Sequence, residues 1–152
     1  MGSQLVFAYE PMIPLRAQLE PLFELHYQEI AHDKDVIRLE PNWIVYAQLE
    51  LPGNLLFVTA RRDGELVGYA SWVVTLALHY ASVIMAYSDM FFLHPDYRGG
   101  MNYVKLMRAS EDMLAAIGVK KVFVSAKTDH DFSPVMKRLK YKAVETNYSK
   151  LL

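Results

Sequence analysis

The chain has 152 residues, of which 53% are hydrophobic, and this suits one domain, residues 1–152, with a single core. Charged residues make up 22% and the net charge is -1, so a general nucleic-acid-binding surface, which needs a basic excess, is not expected. No cysteine is present, which excludes disulfides, cysteine-ligated metals and thiol catalysis.

The sequence shows no sign of export or of a membrane span. Its N-terminus has no basic region followed by a long apolar run, so we expect no signal peptide. The most apolar run, residues 72–78, is too short to cross a bilayer, and no membrane partner is expected. A cytoplasmic location is the default expectation for such a chain.

The first third of the chain predicts one strand and two helices. Residues 5–9 are expected to form a short strand, and apolar spacing predicts a helix over 15–32. Pro21 should end or bend that helix, which leaves two short helices or one bent helix. A second helix is predicted over 43–51, because Pro52-Gly53 stops it.

The remaining elements alternate between strands and helices. Asp63-Gly64 is a hairpin turn signal, and Gly118 is expected as a left-handed cap that ends a helix. Ser133-Pro134 marks the start of the last helix. The predicted strands are 55–60, 66–78, 84–93, 121–125 and 142–148, the last as one strand or a pair, and the predicted helices are 101–117 and 131–139. This order predicts an α+β fold, with a central mixed, mostly antiparallel sheet flanked by about four helices.

One turn has the features of an anion site. Within residues 89–107, an apolar strand runs into Pro95, and the turn Arg98-Gly99-Gly100 follows before a helix begins. The first N–H groups of a helix lack intrahelical partners, and the helix dipole places about half a positive charge there. Arg98 adds a full charge, so the pattern predicts a phosphate or pyrophosphate site. The alternative is that Arg98 pairs with a carboxylate such as Asp96.

This order of elements, with the turn between the fourth strand and the third helix, resembles the GNAT acyltransferase superfamily from residue 5 to the end. Leu93-His-Pro-Asp-Tyr-Arg-Gly-Gly100 is similar to the family's Val-x-Pro-x-x-Arg-Gly segment. Met136-Lys-Arg-Leu-Lys-Tyr141 is similar to its Tyr-Glu-Lys-Leu-Gly-Phe segment. Segments 26–30 and 131–134 resemble GNAT-like proteins of bacteriophage genomes.

The resemblance implies transfer of an acetyl group from acetyl-CoA to an amine. Acetyl-CoA would lie in a V-shaped opening between the fourth and fifth strands, with its pyrophosphate on the turn and its thioester beside the fourth strand. The cofactor-binding residues would then be Phe92, Leu93, Arg98, Gly99, Gly100, Met101, Asn102 and Tyr103. Direct attack by the amine is implied, because no cysteine is present to form an acyl-enzyme.

The sequence departs from the family pattern in two places. Met101 and Tyr103 stand where Arg/Gln-x-x-Gly-x-Gly/Ala has small residues that let the pyrophosphate approach the backbone. Met136 aligns with the tyrosine that often protonates the departing thiolate, so the usual acid is missing. Two alternatives therefore stay open: a GNAT-like fold without catalysis that acts as a binding or inhibitor protein, and an acyltransferase that acts on a macromolecule.

Acyl transfer to an amine needs a base and an acid. Asp89 is expected as the base, since it is the only acid within 84–93; the alternative is an exposed Asp satisfied by backbone donors. Tyr148 could supply the acid, or pack with its hydroxyl at the sheet edge. His26 and Glu29 share a helix face and could bind the amine, unless they form an ordinary surface pair.

The expected partner is an amine acceptor, either a small molecule or a macromolecule. No metal is expected, because His79, His94 and His130 show no ligand spacing on one element. Exposed strand edges would allow a homodimer.

Overall fold

The computed structural model describes residues 4–152, which form one five-stranded sheet. The strands lie in chain order as β1 (Val6–Tyr9), β2 (Leu55–Arg62), β3 (Glu65–Ala77), β4 (Tyr80–Leu93) and β5 (Val119–Phe123). Neighbouring strands are antiparallel, except that β4 and β5 are parallel. The predicted mixed, mostly antiparallel sheet of an α+β fold is confirmed.

Residues 4–152 also contain four α-helices. They are α1 (Arg16–Ile30), α2 (Trp43–Glu50), α3 (Asn102–Ala116) and α4 (Ser133–Arg138). Pro21 lies inside α1 without ending it. Burial of neighbouring apolar side chains such as Leu19 and Phe23 stabilises the helix and offsets the free energy lost with the backbone hydrogen bond that the proline removes. Within this part of the chain, no helix has the length and apolar character needed to cross a membrane.

The sheet is covered on both faces, which explains why β2 and β3 are apolar almost throughout. On one face, α1 and α2 pack over a cluster that contains Leu19, Phe23, Phe57, Tyr69 and Phe92. On the other face, α3 packs over a cluster that contains Trp72, Ala86, Leu93, Leu106 and Met107. We call these the α1 face and the α3 face.

Two turns form as their residues predict. Asp63 and Gly64 both have positive φ angles, 50° and 85°, which is the two-residue turn that matches the twist of a hairpin. Gly118, at φ +91°, follows the end of α3 in the left-handed conformation expected of a helix cap.

The prediction of a closing strand over residues 142–148 is wrong. These residues pair with no strand of the sheet, and they are exposed to solvent. Val144 and Tyr148 are 65% and 93% exposed, so the segment buries no apolar face that would hold it against an edge strand.

Candidate active site

The strand β4 carries one extra residue at Asp89. Trp72 of β3 pairs with Ser88, and the preceding Ser71 pairs with Met90, so Asp89 stands outside the register. Two residues on one strand thus oppose one step on the other, which defines a β-bulge. A bulge bends its strand and increases the local twist, so β4 changes direction here.

The bulge places two consecutive side chains on the α1 face. Asp89 accepts hydrogen bonds on that face from Ser71 and from Tyr46 of α2, and Met90 packs against the same cluster. Side chains of a regular strand alternate between faces. The extra residue therefore moves the α3 face from even-numbered positions before the bulge to odd-numbered positions after it. Ala86 lies on the α3 face before the bulge, whereas Leu93 lies there after it.

β4 and β5 separate just before the bulge. Their pairing runs only from Ile84 with Val119 to Tyr87 with Phe123. The Ser125 N–H then donates to Ser88 Oγ at 2.9 Å, and this bond closes the end of the paired region. Past that point, no strand within residues 4–152 pairs with β4 on its β5 side. Residues 89–93 therefore border a V-shaped opening.

Backbone N–H groups of β4 face this opening. The Leu93 N–H donates to the Tyr103 hydroxyl at 3.2 Å, away from β3. Because alternate residues of a strand direct their N–H groups to the same side, the Phe91 N–H points the same way. The ring of Tyr103 packs edge-on against Phe132, with centroids 5.0 Å apart, so its side chain enters the opening.

A cavity of about 480 Å³ occupies the opening. Its walls come from β4, from the C-terminal end of α1, and from residues after β5 and near the C-terminus. Six of the predicted site residues line it, namely His26, Glu29, Asp89, Phe92, Tyr103 and Tyr148. The structure thus brings these six together, while Leu93 is fully buried in the core behind them.

The Asp89 carboxylate is held by two hydroxyl groups. The Ser71 hydroxyl donates to Oδ2 at 2.8 Å, and the Tyr46 hydroxyl donates to the same oxygen at 3.1 Å. Burial and the charge of Asp89 raise the pKa of Tyr46, so its hydroxyl keeps its proton and remains a donor. The donors are side chains, not the backbone groups of the alternative considered from sequence, and neither bond uses Oδ1.

His26 is buried and neutral at pH 7. The residue is only 8% exposed, and this burial lowers the pKa of its imidazole to about 4. Its Nδ1 lies 2.8 Å from the Tyr69 hydroxyl, whose pKa burial raises well above its ordinary value. We therefore assign the hydroxyl as donor and Nδ1 as acceptor, which places the ring proton on Nε2. His26 and Glu29 do not form the ordinary surface pair.

Glu29 instead binds Arg98 of the turn. Arg98 Nη2 lies 2.7 Å from Glu29 Oε2, and its Nε donates to the Leu93 carbonyl oxygen at 2.8 Å. The guanidinium also lies 5.4 Å from the centroid of the Phe92 ring. Arg98 thus has a carboxylate partner, as the alternative for this residue supposed, but the partner is Glu29 and not Asp96.

The turn itself leaves space above its backbone. A Cβ at Gly99 or Gly100 would meet no atom within 4 Å, and Gly100 has φ +63°, which favours glycine. The Asn102 side chain donates to the Tyr97 carbonyl at 2.9 Å. The sulfur of Met101 lies 3.3 Å from Nη1 of Arg138, so its side chain extends toward α4. The side chain of Met101, toward α4, and that of Tyr103, toward Phe132, both leave the space above Gly99 and Gly100 free.

Three residues of the site were not found from the sequence. Tyr69 and Ser71 are the polar positions within residues 66–74 of β3, and their spacing of two, which places both on one face, would have signalled them. Tyr46, in α2, has no comparable signal. Among residues 4–152, no group of three His, Asp or Glu residues could hold a metal ion.

Solved structures with the same fold act on different acceptors. An aminoglycoside acetyltransferase from an uncultured soil metagenomic sample, in complex with sisomicin, is 19% identical with a TM-score of 0.70, covering 98% of this chain and 96% of its own. A ribosomal-protein-alanine N-acetyltransferase from Brucella melitensis is 17% identical with a TM-score of 0.66, covering 98% and 97%. Glucosamine-6-phosphate N-acetyltransferase from Arabidopsis thaliana is 10% identical with a TM-score of 0.73, covering 98% and 99%.

No curated protein sequence matches this chain. The structural likenesses, all at low identity, establish the fold alone. A family model described as "Acetyltransferase (GNAT) family" matches residues 16–137, which includes α1, the bulged strand, the turn and α3. The chain belongs to the GNAT acetyltransferase family.

Proposed function

We propose that this protein is an N-acetyltransferase that moves an acetyl group from acetyl-CoA to an amine. The observation that carries the proposal is the opening between β4 and β5, where unpaired strand backbone lies beside the Asp89 carboxylate. A thioester placed along β4 would meet the Phe91 N–H, a donor for the negative charge that develops on its oxygen.

The turn is the proposed seat of the pyrophosphate. Open space above Gly99 and Gly100 lets an anion approach the backbone N–H groups at the start of α3, a helix of 15 residues. Met101 and Asn102 contribute backbone N–H groups at the same place. Arg98 would add its charge from the side of α1, where Glu29 now holds it.

The proposed reaction needs two proton transfers. Asp89 takes a proton from the amine, whose nitrogen attacks the carbonyl carbon of the thioester and forms a C–N bond. The C–S bond then breaks, and CoA leaves as a thiol after its sulfur gains a proton. Tyr148, which lines the cavity and is 93% exposed, is the proposed acid.

The second candidate function is binding without catalysis, and Tyr103 is the observation that favours it. Its hydroxyl occupies the Leu93 N–H, and its ring stands in the opening where the pantetheine arm of CoA would lie. A protein that uses this fold only to bind a partner has no need to keep that space free.

Acetyl-CoA binding and CoA release separate the two candidates. Acetyl-CoA at one hundred times its Kd should stabilise the folded state by about 2.7 kcal/mol and raise Tm accordingly. An amine should then release free CoA thiol, which a thiol reagent detects. Asp89→Asn should keep the Tm shift and lose turnover by roughly 100-fold or more. An unchanged Tm at millimolar acetyl-CoA would support the binding protein instead.

A further inference from the structure

A second cavity, of about 520 Å³, adjoins the first. It lies between α1, the segment 31–41 that follows α1, Tyr46 of α2, and the strand residues Tyr69 and Met90. The two cavities share six lining residues, His26, Ile30, His32, Met90, Lys127 and Ser149. They therefore meet beside His26 and Met90, next to the bulge.

The inner end of the second cavity is aromatic. Phe23 and Tyr69 are buried, Tyr27 and Tyr46 are half-buried, and aliphatic side chains of the segment 31–41 complete the wall. A volume of this size suits a small molecule. Aromatic rings also pack favourably against other aromatic rings, in stacked or edge-on arrangements.

The acidic and basic side chains that line this cavity are equal in number, so their charges sum to zero. Asp33 and Glu40 oppose Arg38 and Lys127, and all four are exposed. A polycationic acceptor would call for an excess of acidic residues, and a sugar phosphate for an excess of basic ones. The cavity offers neither.

The outer wall of the cavity is held in place. The Tyr27 hydroxyl donates to the Ile37 carbonyl at 2.7 Å, and the N–H groups of Val36 and Ile37 both donate to the Asp33 carbonyl. The segment is therefore pinned to α1 by the same tyrosine that lines the cavity, and the cavity is formed in advance of any ligand.

Tyr46 connects the two cavities. Its ring lines the second cavity, and its hydroxyl donates to Asp89, which lines the first. We propose that the second cavity is the acceptor subsite and that it takes a primary amine carried on an aromatic, uncharged body. The amine nitrogen reaches the Asp89 carboxylate at the junction, and the body packs among Tyr27, Tyr46 and Tyr69. The inference rests on the proposed acetyl transfer.

A panel of acceptors tests the inference. CoA thiol release is measured with 2-phenylethylamine, sisomicin, glucosamine 6-phosphate and a peptide with an N-terminal alanine. We expect kcat/KM for 2-phenylethylamine to exceed each of the others by about tenfold or more, the size of a hydrophobic-pocket preference. An equal or higher value for any of the other three overturns the inference while leaving acetyl transfer intact.

Direct binding keeps the two proposals distinguishable. If no amine releases thiol, the proposal of acetyl transfer fails. Saturation-transfer NMR with 2-phenylethylamine alone then tests whether the second cavity binds an aromatic amine. Signal transfer that Ile37→Lys abolishes supports an aromatic-amine site even without catalysis. No transfer from the wild-type protein overturns the inference.

Two neighbouring variants locate the effect. Ile37 lines the second cavity, whereas Val36 lines neither cavity and is 68% exposed. Ile37→Lys should raise KM for 2-phenylethylamine by about tenfold and leave kcat within about twofold, because it adds a charge to the subsite alone. Val36→Lys, with the same charge one residue away, should change neither. Equal effects of the two would overturn the assignment.

Discussion

His26 shows how its surroundings fix the protonation state of one residue. Burial lowers its pKa to about 4, and the nearby charges of Glu29 and Arg98 act in opposite directions on it. An unfolded chain leaves a histidine near 6.5. Falling pH therefore protonates the unfolded chain before the folded one, so the stability that comes from neutral His26 is present above about 6.5 and is lost as pH falls toward 4.

We predict that His26→Asn reduces the sensitivity of stability to acid. Asn keeps an acceptor for the Tyr69 hydroxyl but cannot gain a proton. Between pH 7 and pH 4, the wild-type free energy of unfolding should fall by up to about 3 kcal/mol more than that of the variant. Urea unfolding at several pH values measures the difference. His79→Asn, at an exposed position, serves as the control, and parallel pH profiles for His26→Asn and the wild type would contradict the prediction.

At the scale of elements, the pairing of β3 with β4 leaves no room for a side chain at Gly68. This residue pairs with Leu93, and a Cβ there would lie 2.5 Å from the Phe92 carbonyl oxygen and from Leu93 Cδ2. A backbone oxygen cannot move aside as a side chain can. The absence of a side chain at Gly68 thus sets the position of the strand segment that borders the cleft.

Gly68→Ala should destabilise the fold by about 1–3 kcal/mol, since the methyl group forces the two strands apart. Gly99→Ala is the matched control, because a Cβ at Gly99 meets nothing within 4 Å and its φ is not in the left-handed region. Its effect on unfolding should stay within about 0.5 kcal/mol. Denaturant unfolding of the two variants gives the comparison, and equal stabilities would show that the strands accommodate the methyl group.

At the scale of the whole molecule, Arg98 and Glu29 join the turn before α3 to α1. The two residues are 69 positions apart, and their ion pair is about one-third exposed. The pair therefore links the proposed pyrophosphate site to a wall of the cavity between β4 and β5. If Arg98 binds the pyrophosphate, the Glu29 carboxylate and the pyrophosphate compete for the same guanidinium group.

We predict opposite responses when each partner is changed. Arg98→Ala should weaken acetyl-CoA binding by about tenfold, the loss expected of one charge-assisted contact. Glu29→Gln removes the competing charge, so affinity should stay equal or increase. Isothermal titration calorimetry measures both, with circular dichroism to verify folding. Equal weakening in both variants would instead mean that the ion pair only shapes the site, and unchanged affinity in Arg98→Ala would remove its pyrophosphate role.

Features set by short stretches of sequence were predictable. The Asp63-Gly64 turn, the cap at Gly118 and the start of α4 at Ser133-Pro134 all formed as expected, because each depends on local backbone preferences. The strand expected over 142–148 did not form, since a strand also needs a partner and a buried face, and neither can be read from its own residues.

The contents of the site were predictable only in part. Asp89 and His26 were picked out, and both line the cavity between β4 and β5. Two of the hydroxyls that bind them come from Tyr46 and Tyr69, each 43 positions away, and no local pattern encodes such pairs. The bulge was also hidden, because apolar residues on both faces of β4 leave no break in alternation where an extra residue enters.

The bulge also allows the sheet to carry a carboxylate on its α1 face without the loss of an apolar side chain. Met90 already fills the α1 face at this step of the ladder, so Asp89 is an additional side chain and replaces no apolar contact. Deleting Asp89 would leave Phe92 and Leu93 on their present faces and restore regular pairing with β3. We therefore expect the core to tolerate the loss of this residue, because the carboxylate proposed as the base is an addition to an otherwise regular pairing of β3 with β4.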